Sequence, residues 1–359
     1  MRILLVTGSS GGHIFPALAL MDRLKASCAD VLMVLPKSNS NNKILVESEQ
    51  IKYIQAANLG FNLGSKNIGG VYFSLMGAWE GLRTIIKFKP DVVVGFGSLH
   101  TVALLFWAWL FRIKTVIHEQ NVIPGRANRL LARFVDKVAV SFAQTNDYLK
   151  LSREKIILTG NPMRKDLVRL NRKEALDFFD FKEGKFNVLI TGGSQGAHKL
   201  NTVCFAALSG CNGENDLQLV HISGVQDFML LKQTYAQAGI AHKVFDFLPG
   251  IQYAYSIADL VICRAGAMTI AELQRFSLPA ILIPYPFAYA HQFNNARVLE
   301  NLGSALIIQE EELSAGKLRD KIQDLMENPQ KLKAMRQAYS ENNVLNAVEL
   351  LANEVLKLN

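Results

Sequence analysis

The sequence predicts an α/β protein built from two similar halves, each a parallel β-sheet covered by helices. Two observations support this prediction. Short apolar runs alternate with amphipathic stretches along the chain, which is typical of parallel sheets covered on both faces. A glycine-rich loop follows an apolar run twice, once from Gly8 and again from Gly192. This duplication indicates two Rossmann-like halves that face a shared cleft.

Each glycine-rich loop stands where a buried strand would turn into a helix. The first loop runs from Gly8 to His13 and the second from Gly192 to Ala197. Glycine permits close approach of the backbone, and free N–H groups at a helix start attract anions. Neither loop has the G-x-G-x-x-G spacing of a dinucleotide site or the ending of a P-loop. Because the expected acidic residue about 20 positions later is also missing, a dinucleotide-dependent dehydrogenase is a poor fit.

The elements of both halves follow from the apolar patterning. Predicted strands lie at 2–7, 31–35, 91–95, 114–117, 137–141, 187–191, 217–222, 243–246, 260–263 and 280–284. Predicted helical stretches lie at 16–26, 41–50, 70–88, 100–111, 124–134, 197–209, 225–238, 251–257, 267–276 and 290–302. Residues 162–185 read as a linker plus a helix, and the chain is all helical from 311. We predict an N-terminal domain at 1–161, a C-terminal domain at 162–339, and a last helix within 340–359 that packs back on the first domain.

The composition excludes several classes of protein. Half of the 359 residues are hydrophobic and 19% are charged, which excludes a disordered chain. The four cysteines show no metal-ligand or disulfide spacing, which favours a reducing cytoplasm. The chain enters a predicted strand at once, so we expect no signal peptide.

The net charge of +8 indicates an anionic partner. The basic residues are scattered and form no recognised nucleic-acid motif. Two apolar runs with basic flanks, Val71 to Leu82 and Val102 to Phe111, favour an anionic membrane surface instead. Neither run reaches the ~20 residues that span a bilayer. The second run also fits a buried helix, but Trp107 and Trp109 cannot share one helix face, so we expect one to point outward.

His13 is the first candidate for a catalytic group. It follows two glycines at the predicted start of the first helix, where the helix N-terminus disfavours the protonated imidazole. A neutral histidine facing the cleft suits a general base. The alternative is a helix-capping histidine bonded to the backbone.

Four polar residues, His118 to Asn121, follow the predicted strand at 114–117. Polar side chains at the carboxyl edge of a parallel sheet often form the wall of a ligand site. A buried hydrogen-bonded network that ties loops together would explain His118 and Gln120 equally well.

The second half offers further candidate ligand contacts. The segment Arg264 to Glu272 follows a predicted strand, and its small residues let the turn sit close to a ligand. Glu272 would lie early in the next helix, where a carboxylate can bind a ribose diol or simply offset the helix dipole. No Asp-x-Asp metal clamp follows a predicted strand. Charge on a leaving group would therefore be met by backbone N–H groups, helix dipoles and Arg164 or Arg264.

Five motifs stand in a fixed order along the chain. They are Thr7-Gly8-x-x-Gly11-Gly12-His13, His118-Glu119-Gln120-Asn121, Gly160-Asn161-Pro162-x-Arg164, Thr191-Gly192-Gly193-Ser194-Gln195-Gly196-Ala197 and Arg264-x-Gly266-Ala267-x-Thr269. Together they resemble the MurG family, the peptidoglycan glycosyltransferases that add N-acetylglucosamine to a lipid-linked muramyl-pentapeptide. The resemblance implies a GT-B fold. It also implies a peripheral enzyme at the cytoplasmic face of the bacterial inner membrane.

The resemblance further assigns ligands to residues. Position by position, it implies that UDP-N-acetylglucosamine contacts Ser10, Gly11, Gly12, Asn121, Arg164, Ser194, Leu248, Arg264, Ala267, Met268, Thr269, Ile270, Ala271, Glu272 and Gln292. In this assignment Ser194 lies at the diphosphate, the backbone of Leu248 at the uracil, and Glu272 at the ribose. Gly95, Gly97 and Ser98 would face the acceptor, in a loop where the family usually has Gly-Gly-Tyr.

The resulting hypothesis is a single in-line displacement with inversion. His13, or alternatively Glu119, removes the proton of the acceptor's C4 hydroxyl, and UDP leaves towards the second glycine-rich loop. The implied partners are UDP-N-acetylglucosamine, the lipid-linked acceptor, an anionic membrane surface and other cell-wall synthesis proteins, with no nucleic acid. The hypothesis requires no metal and no tightly bound cofactor. It leaves open whether a divalent cation stimulates turnover.

Two other functions stay open at this point. An epimerase acting on UDP-N-acetylglucosamine within the same architecture would need carboxylates in the cleft and no lipid acceptor, so the apolar runs argue against it. A non-catalytic membrane protein that binds nucleotide sugars would have no need of His13.

Overall fold

Two compact units make up the chain in the computed structural model. The first unit comprises Met1–Arg164 together with Leu345–Asn359, and the second comprises Lys165–Val344. The structure describes residues 1–37, 49–55, 68–193, 196–209, 216–287, 291–341 and 346–358. Most of the helix predicted at 41–50 therefore lies outside the described residues. The predicted division after residue 161 falls three residues before the end of the first unit's long segment at Arg164.

The first unit is a parallel sheet flanked by helices. Its strands are β1 (Arg2–Val6), β2 (Asp30–Pro36), β3 (Ile51–Ile54), β4 (Val92–Gly95), β5 (Lys114–Glu119), β6 (Lys137–Val140) and β7 (Ile156–Leu158). Within the described residues their order is β3-β2-β1-β4-β5-β6-β7, and every neighbouring pair is parallel. The helices are α1 (Gly11–Ala26), α2 (Ile68–Phe88), α3 (Leu99–Leu110), α4 (Arg126–Leu131) and α5 (Thr145–Leu149).

The second unit repeats this plan. Its strands are β8 (Phe186–Thr191), β9 (Leu217–Ile222), β10 (Ala241–Phe245), β11 (Leu260–Cys263), β12 (Ala280–Leu282) and β13 (Ala305–Ile307). They lie in the order β10-β9-β8-β11-β12-β13, again all parallel. The helices are α6 (Arg172–Phe179), α7 (His198–Leu208), α8 (Phe228–Gln237), α9 (Ile251–Ile257), α10 (Ala267–Phe276), α11 (His291–Leu302), α12 (Ala315–Glu327) and α13 (Pro329–Gln337).

The side chains of β1 alternate between the two faces of the sheet and contribute to a core on each face. Ile3 and Leu5 belong to one buried cluster and Leu4 and Val6 to another, and all four side chains are fully buried. Alternate residues of a strand point to opposite faces, so a continuous apolar run is the signature of a sheet covered on both sides. The predicted α/β class with parallel sheets is confirmed.

The last helix, α14 (Ala347–Leu356), belongs to the first unit. Leu351, Ala352 and Val355 are buried in the same cluster as the residues of α1, and Arg23 of α1 pairs with Glu349. The helix α14 therefore packs on α1 of the same unit.

The apolar pattern of the sequence did not predict three of the described strands and one short helix. The strands β3, β7 and β13 have three or four residues and lie at sheet edges, and the helix α5 has five residues. Edge strands are half-exposed, so their sequences lack the continuous apolar run of central strands. The helix predicted at 124–134 is also shorter than expected, since α4 ends at Leu131.

Candidate functional site

The sheet topology places the predicted motifs at one position in each unit. In the first sheet, β1 lies between β2 and β4, so the loops after β1 and β4 diverge from adjacent strand ends. In the second sheet, β8 and β11 are adjacent in the same way. Such a switch point is where open α/β sheets bind ligands, outside the carboxyl ends of the strands.

His13 lies at the switch point of the first unit, as the third residue of α1. Its Nδ1 is hydrogen-bonded to Ser10 Oγ at 2.9 Å. The imidazole packs against two glycines, since a Cβ placed on Gly8 would lie 2.8 Å from Nδ1 and one on Gly97 would lie 3.3 Å from Nε2. The loops after β1 and β4 therefore both shape the space around this ring.

Burial and the neighbouring His100 lower the pKa of His13 to about 4. His100 Nε2 donates to Thr7 O over 2.7 Å, and its Nδ1 is hydrogen-bonded to Ser98 Oγ at 3.2 Å. Burial lowers the pKa of His100 as well. A neutral imidazole at pH 7 is the form that accepts a proton, so this geometry fits a general base.

Ser98 has an unusual backbone conformation beside His13. Its φ of 88° and ψ of 157° place a non-glycine residue in a region that is essentially restricted to glycine. The preceding Gly97 also has a positive φ, of 92°. Backbone strain of this kind persists where the surrounding structure imposes it, and it clusters at ligand sites.

We expect Ser98→Gly to raise the free energy of unfolding by about 1 kcal/mol, because glycine relieves this strain. The measurement is the urea midpoint at constant m-value. Ser98→Ala is the matched control: it removes the hydroxyl that contacts His100 but keeps the Cβ, so it should not stabilise the protein. Equal midpoints for the two variants would contradict the strain interpretation.

His118 and Gln120 form a buried hydrogen-bonded network, one of the two alternatives that the sequence left open. Gln120 Nε2 donates to His118 Nδ1 over 3.2 Å and to Phe96 O over 3.1 Å. His118 Nε2 is 3.0 Å from Gly160 O, a carbonyl that can only accept, so the proton lies on Nε2. Burial lowers the pKa of His118 to about 4. These contacts tie the end of β5 to the loop after β7.

Glu119 is buried and its carboxylate is fully engaged within the first unit. Oε1 accepts from the Asn121 backbone N–H over 2.9 Å and from its amide over 3.3 Å. Oε2 accepts from Asn128 Nδ2 over 2.8 Å and from the Gly125 N–H over 3.0 Å. Burial raises the pKa of Glu119, and these hydrogen bonds oppose that shift. Because Glu119 organises the loop between β5 and α4, the geometry favours His13 over Glu119 as the base.

The remaining candidates of the first unit lie near the start of α1 or at the end of β5. Ser10 and Gly12 are exposed, and Gly11 is buried at the start of α1. The Arg164 guanidinium lies over the ring of Phe15, 5.2 Å from its centroid. Arg164, the last residue of the unit's long segment, thus lies at the first turns of α1.

Gly196, in the second glycine-rich loop between β8 and α7, lies close to the backbone that follows β9. A Cβ on Gly196 would lie 2.3 Å from Ser223 O, and Gly193 and Gly196 have φ values of 86° and 75°. Only glycine fits such a position at 196. Ser194, the predicted diphosphate contact, lies outside the described residues.

The loop between β11 and α10 is fixed by amide side chains from α11. Gln292 Oε1 accepts from the backbone N–H of Ala265 over 3.2 Å and of Tyr285 over 3.0 Å, and Asn295 Nδ2 donates to Ala265 O over 3.3 Å. The amide oxygen of Gln292 therefore holds the backbone of this loop in place, a role that the sequence did not suggest.

Arg264 is tied into the same unit. Its guanidinium pairs with Glu310 and donates to the carbonyls of Ile283 and Pro284. Only 8% of the residue is exposed. Through these contacts Arg264 connects the ends of neighbouring strands. Its assignment as a contact of the sugar donor stays a prediction.

The predicted binding segment from Ala267 to Glu272 lies on α10, so some of its side chains face the core and others are partly exposed. Ile270 is fully buried and Ala267 and Ala271 nearly so, whereas Met268, Thr269 and Glu272 are half-buried. Side-chain contacts with a ligand are therefore limited to the last three. Glu272 accepts a hydrogen bond from Tyr255 Oη over 2.8 Å. The side chain of Leu248 is buried, which leaves its backbone for the contact predicted with the uracil.

Three residues of these networks were not singled out as site residues from the sequence: His100, Asn128 and Tyr255. Each lies outside the motif that it contacts, so no local pattern marks it. The amides of Gln292 and Asn295 were expected to contact sugar hydroxyls, and in the structure they hold the loop at Ala265. No group of His, Cys, Asp and Glu side chains in the described part of the chain could hold a metal ion.

Two family models match this chain. The glycosyltransferase family 28 N-terminal domain matches residues 3–140, and the family 28 C-terminal domain matches residues 187–351. The UDP-N-acetylglucosamine--N-acetylmuramyl-(pentapeptide) pyrophosphoryl-undecaprenol N-acetylglucosamine transferase of Halothermothrix orenii is 35% identical over 97% of this chain and 98% of its own length. The chain belongs to this family of transferases. The Thermodesulfovibrio yellowstonii member is 36% identical over 94% of this chain and 93% of its own.

Solved structures show the same relationship. Acinetobacter baumannii MurG superposes with a TM-score of 0.79 at 28% identity and covers 99% of both chains. The GT-B fold implied by the family resemblance is thereby confirmed. A UDP-GlcNAc 2-epimerase from Neisseria meningitidis bound to UDP-GlcNAc superposes with a TM-score of 0.72, but at 13% identity it shows the fold alone.

Proposed function

We propose that this protein transfers N-acetylglucosamine from UDP-N-acetylglucosamine to the C4 hydroxyl of undecaprenyl-pyrophosphoryl-N-acetylmuramyl-pentapeptide. The family membership supports the reaction, and the placement of His13 is the observation in this chain that carries it. The transferase relatives are 35% identical over nearly the whole chain, whereas the likeness to the epimerase extends to the fold alone. The transferase is therefore favoured over the epimerase.

His13 acts as the general base in this proposal. With the Nδ1 proton donated to Ser10 Oγ, the lone pair of Nε2 lies on the side of Gly97. An acceptor sugar whose C4 hydroxyl approaches along the Gly95, Gly97 and Ser98 loop can give its proton to Nε2. The resulting alkoxide character at O4 makes it the nucleophile for the anomeric carbon of the donor.

The second unit supplies contacts with the nucleotide part of the donor. Glu272 accepts the ribose hydroxyls, and the backbone of Leu248 meets the uracil. The N-terminus of α7, which follows the second glycine-rich loop, offers backbone N–H groups to the diphosphate, which carries away the negative charge of the leaving group. Displacement on the face opposite to UDP inverts the anomeric centre and gives a β-1,4 linkage.

The decisive experiment is transfer of radiolabelled N-acetylglucosamine from its UDP conjugate to a short-chain analogue of the lipid-linked muramyl-pentapeptide. Label in the lipid fraction, with UDP released only when acceptor is present, supports the transferase. Conversion of the donor sugar without acceptor would move the assignment to an epimerase. UDP binding without transfer to this acceptor would leave a nucleotide-sugar-binding protein.

We also propose that the first unit binds an anionic membrane surface at the cytoplasmic face. Two neighbouring helices, α2 and α3, carry exposed apolar side chains, and at least 45% of each of the following is exposed: Tyr72, Phe73, Leu75, Trp79, Phe106, Trp109, Leu110 and Phe111. Trp107 instead donates its indole N–H to Ala78 O, so one tryptophan of the pair points outward as expected. No helix among the described residues has the length and apolarity to cross a bilayer.

Basic residues adjoin this apolar surface. Arg83 lies over the Trp79 ring, 5.4 Å from its centroid, and Lys87 follows one turn later on α2. Apolar insertion combined with attraction to anionic headgroups is the pattern of an interfacial membrane contact.

Leu75→Ser combined with Trp79→Ser should weaken binding to phosphatidylglycerol vesicles by at least tenfold, since each buried apolar side chain contributes about 1.5–3 kcal/mol. Vesicle co-sedimentation at low and high salt measures the effect. Leu230→Ser, which changes another exposed leucine, on α8 of the second unit, is the control. Equal losses in the two proteins would argue against a membrane contact through α2.

A further inference from the structure

The proposed ribose contact, Glu272, is held by a tyrosine from another helix. Tyr255 Oη donates to Glu272 Oε2 over 2.8 Å, so a residue of α9 reaches a carboxylate on α10. Tyr255 is 1% exposed, whereas Glu272 is half-buried. The hydrogen bond therefore joins a fully buried hydroxyl to a half-buried carboxylate of the same unit.

Packing fixes the position of the donor in this hydrogen bond. The Tyr255 ring lies against Phe276, also on α10, with 5.1 Å between the ring centroids. Burial, with Glu272 and Cys263 nearby, holds the pKa of Tyr255 well above its usual value, so the phenol keeps its proton and donates. A hydrogen bond to an ionised acceptor is stronger than one between neutral groups.

We propose that Tyr255 is a positioning residue of the donor site, whose hydroxyl holds the Glu272 carboxylate in the orientation that receives the ribose hydroxyls of UDP. This inference rests on the proposed function, because it takes Glu272 to be the ribose contact. A glutamate on a helix surface samples several rotamers, and ordering it on ligand binding costs entropy. A carboxylate that is oriented beforehand loses less of that freedom, so the nucleotide binds more tightly.

The test is Tyr255→Phe, which removes one oxygen and keeps the ring in its packing. Calorimetry compares UDP with 2′,3′-dideoxy-UDP, which lacks both ribose hydroxyls. We expect the variant to bind UDP about 3- to 10-fold more weakly, the loss of part of one charge-assisted hydrogen bond. Binding of the dideoxy compound should be the same in both proteins. In turnover, KM for UDP-N-acetylglucosamine should rise while kcat is retained.

A double-mutant cycle separates this role from a merely structural one. Once Glu272→Ala has removed the carboxylate, adding Tyr255→Phe should not weaken UDP binding further. Tyr235→Phe is the matched control, since Tyr235 is also buried and its hydroxyl is hydrogen-bonded to His221 at 3.0 Å, away from Glu272. It should lower the thermal midpoint without changing the preference for UDP over the dideoxy compound.

Two results would overturn the proposal: unchanged UDP binding in Tyr255→Phe, or equal weakening of UDP and the dideoxy compound. Failure of the proposed function gives a different result. If the unaltered protein bound UDP and 2′,3′-dideoxy-UDP equally well, Glu272 would not be the ribose contact. If it bound neither, the donor site itself would be wrong.

Discussion

Replacing His13 with alanine is expected to lower kcat by about two to four orders of magnitude, the usual contribution of a positioned general base. The affinity for UDP should hardly change, because the nucleotide contacts proposed in the second unit remain. Initial rates in the radiolabel transfer assay, together with calorimetric binding of UDP, measure both quantities. His242→Ala is the control, since that histidine is hydrogen-bonded to the carbonyl of Ile240 in the second unit.

The pH profile gives an independent test of the same role. His13 accepts a proton only while it is neutral, and burial with the adjacent His100 lowers its pKa to about 4. The acid limb of kcat/KM that belongs to this group should therefore lie near pH 4, well below the ordinary histidine value of 6.5. An unchanged rate in His13→Ala would remove His13 from this role and leave Glu119 as the base.

Acid should destabilise both units, because each contains a fully buried neutral histidine. Burial lowers the pKa of His118 to about 4 and that of His221 to about 3. In the unfolded chain both take up a proton near pH 6.5. Between these values the unfolded state binds more protons than the folded state, so stability falls as the pH falls below about 6.5. At pH 5 the loss is about 2 kcal/mol for each histidine.

Urea unfolding followed from pH 7.5 to pH 5 measures this loss. His221→Gln keeps polar atoms near Asn201 Oδ1 and Tyr235 Oη, the two partners of His221, but does not titrate. Its stability should therefore fall less steeply with acid than that of the unaltered protein. Tyr235→Phe removes one of the same hydrogen bonds and retains the histidine. Its free energy of unfolding should therefore be lower than that of the unaltered protein at every pH, but it should change with pH equally steeply. Identical slopes for His221→Gln and the unaltered protein would contradict the buried-histidine account.

The central strands of both sheets could be predicted from sequence, as could the edge strand β10, whereas the edge strands β3, β7 and β13 could not. A strand such as β1 is buried on both faces, so each of its residues from Ile3 to Val6 had to be apolar. The edge strand β7 has partly buried and exposed residues, and β13 has only one buried residue. Such segments are specified by the neighbouring strand more than by their own sequence.

The glycine-rich loops and His13 were found because their motif lies within one short segment. The partners that set the chemistry come from elsewhere: His100 follows β4, and Tyr255 lies on α9. The sheet brings them to His13 and Glu272, and no local spacing records that proximity. The run from Ala267 to Glu272 shows the converse, because a continuous motif includes Ile270, whose side chain is needed for the core.

The position of α14 has a consequence for synthesis on the ribosome. Residues 1–164 emerge before the second unit, whereas Leu351, Ala352 and Val355, which pack against α1, emerge after it. The second unit is one continuous segment and is complete before them. Since domains fold as units once their segments are available, the unit translated second is expected to fold first. Until α14 emerges, the nascent first unit exposes the apolar residues that α14 covers, and we expect chaperones to bind there.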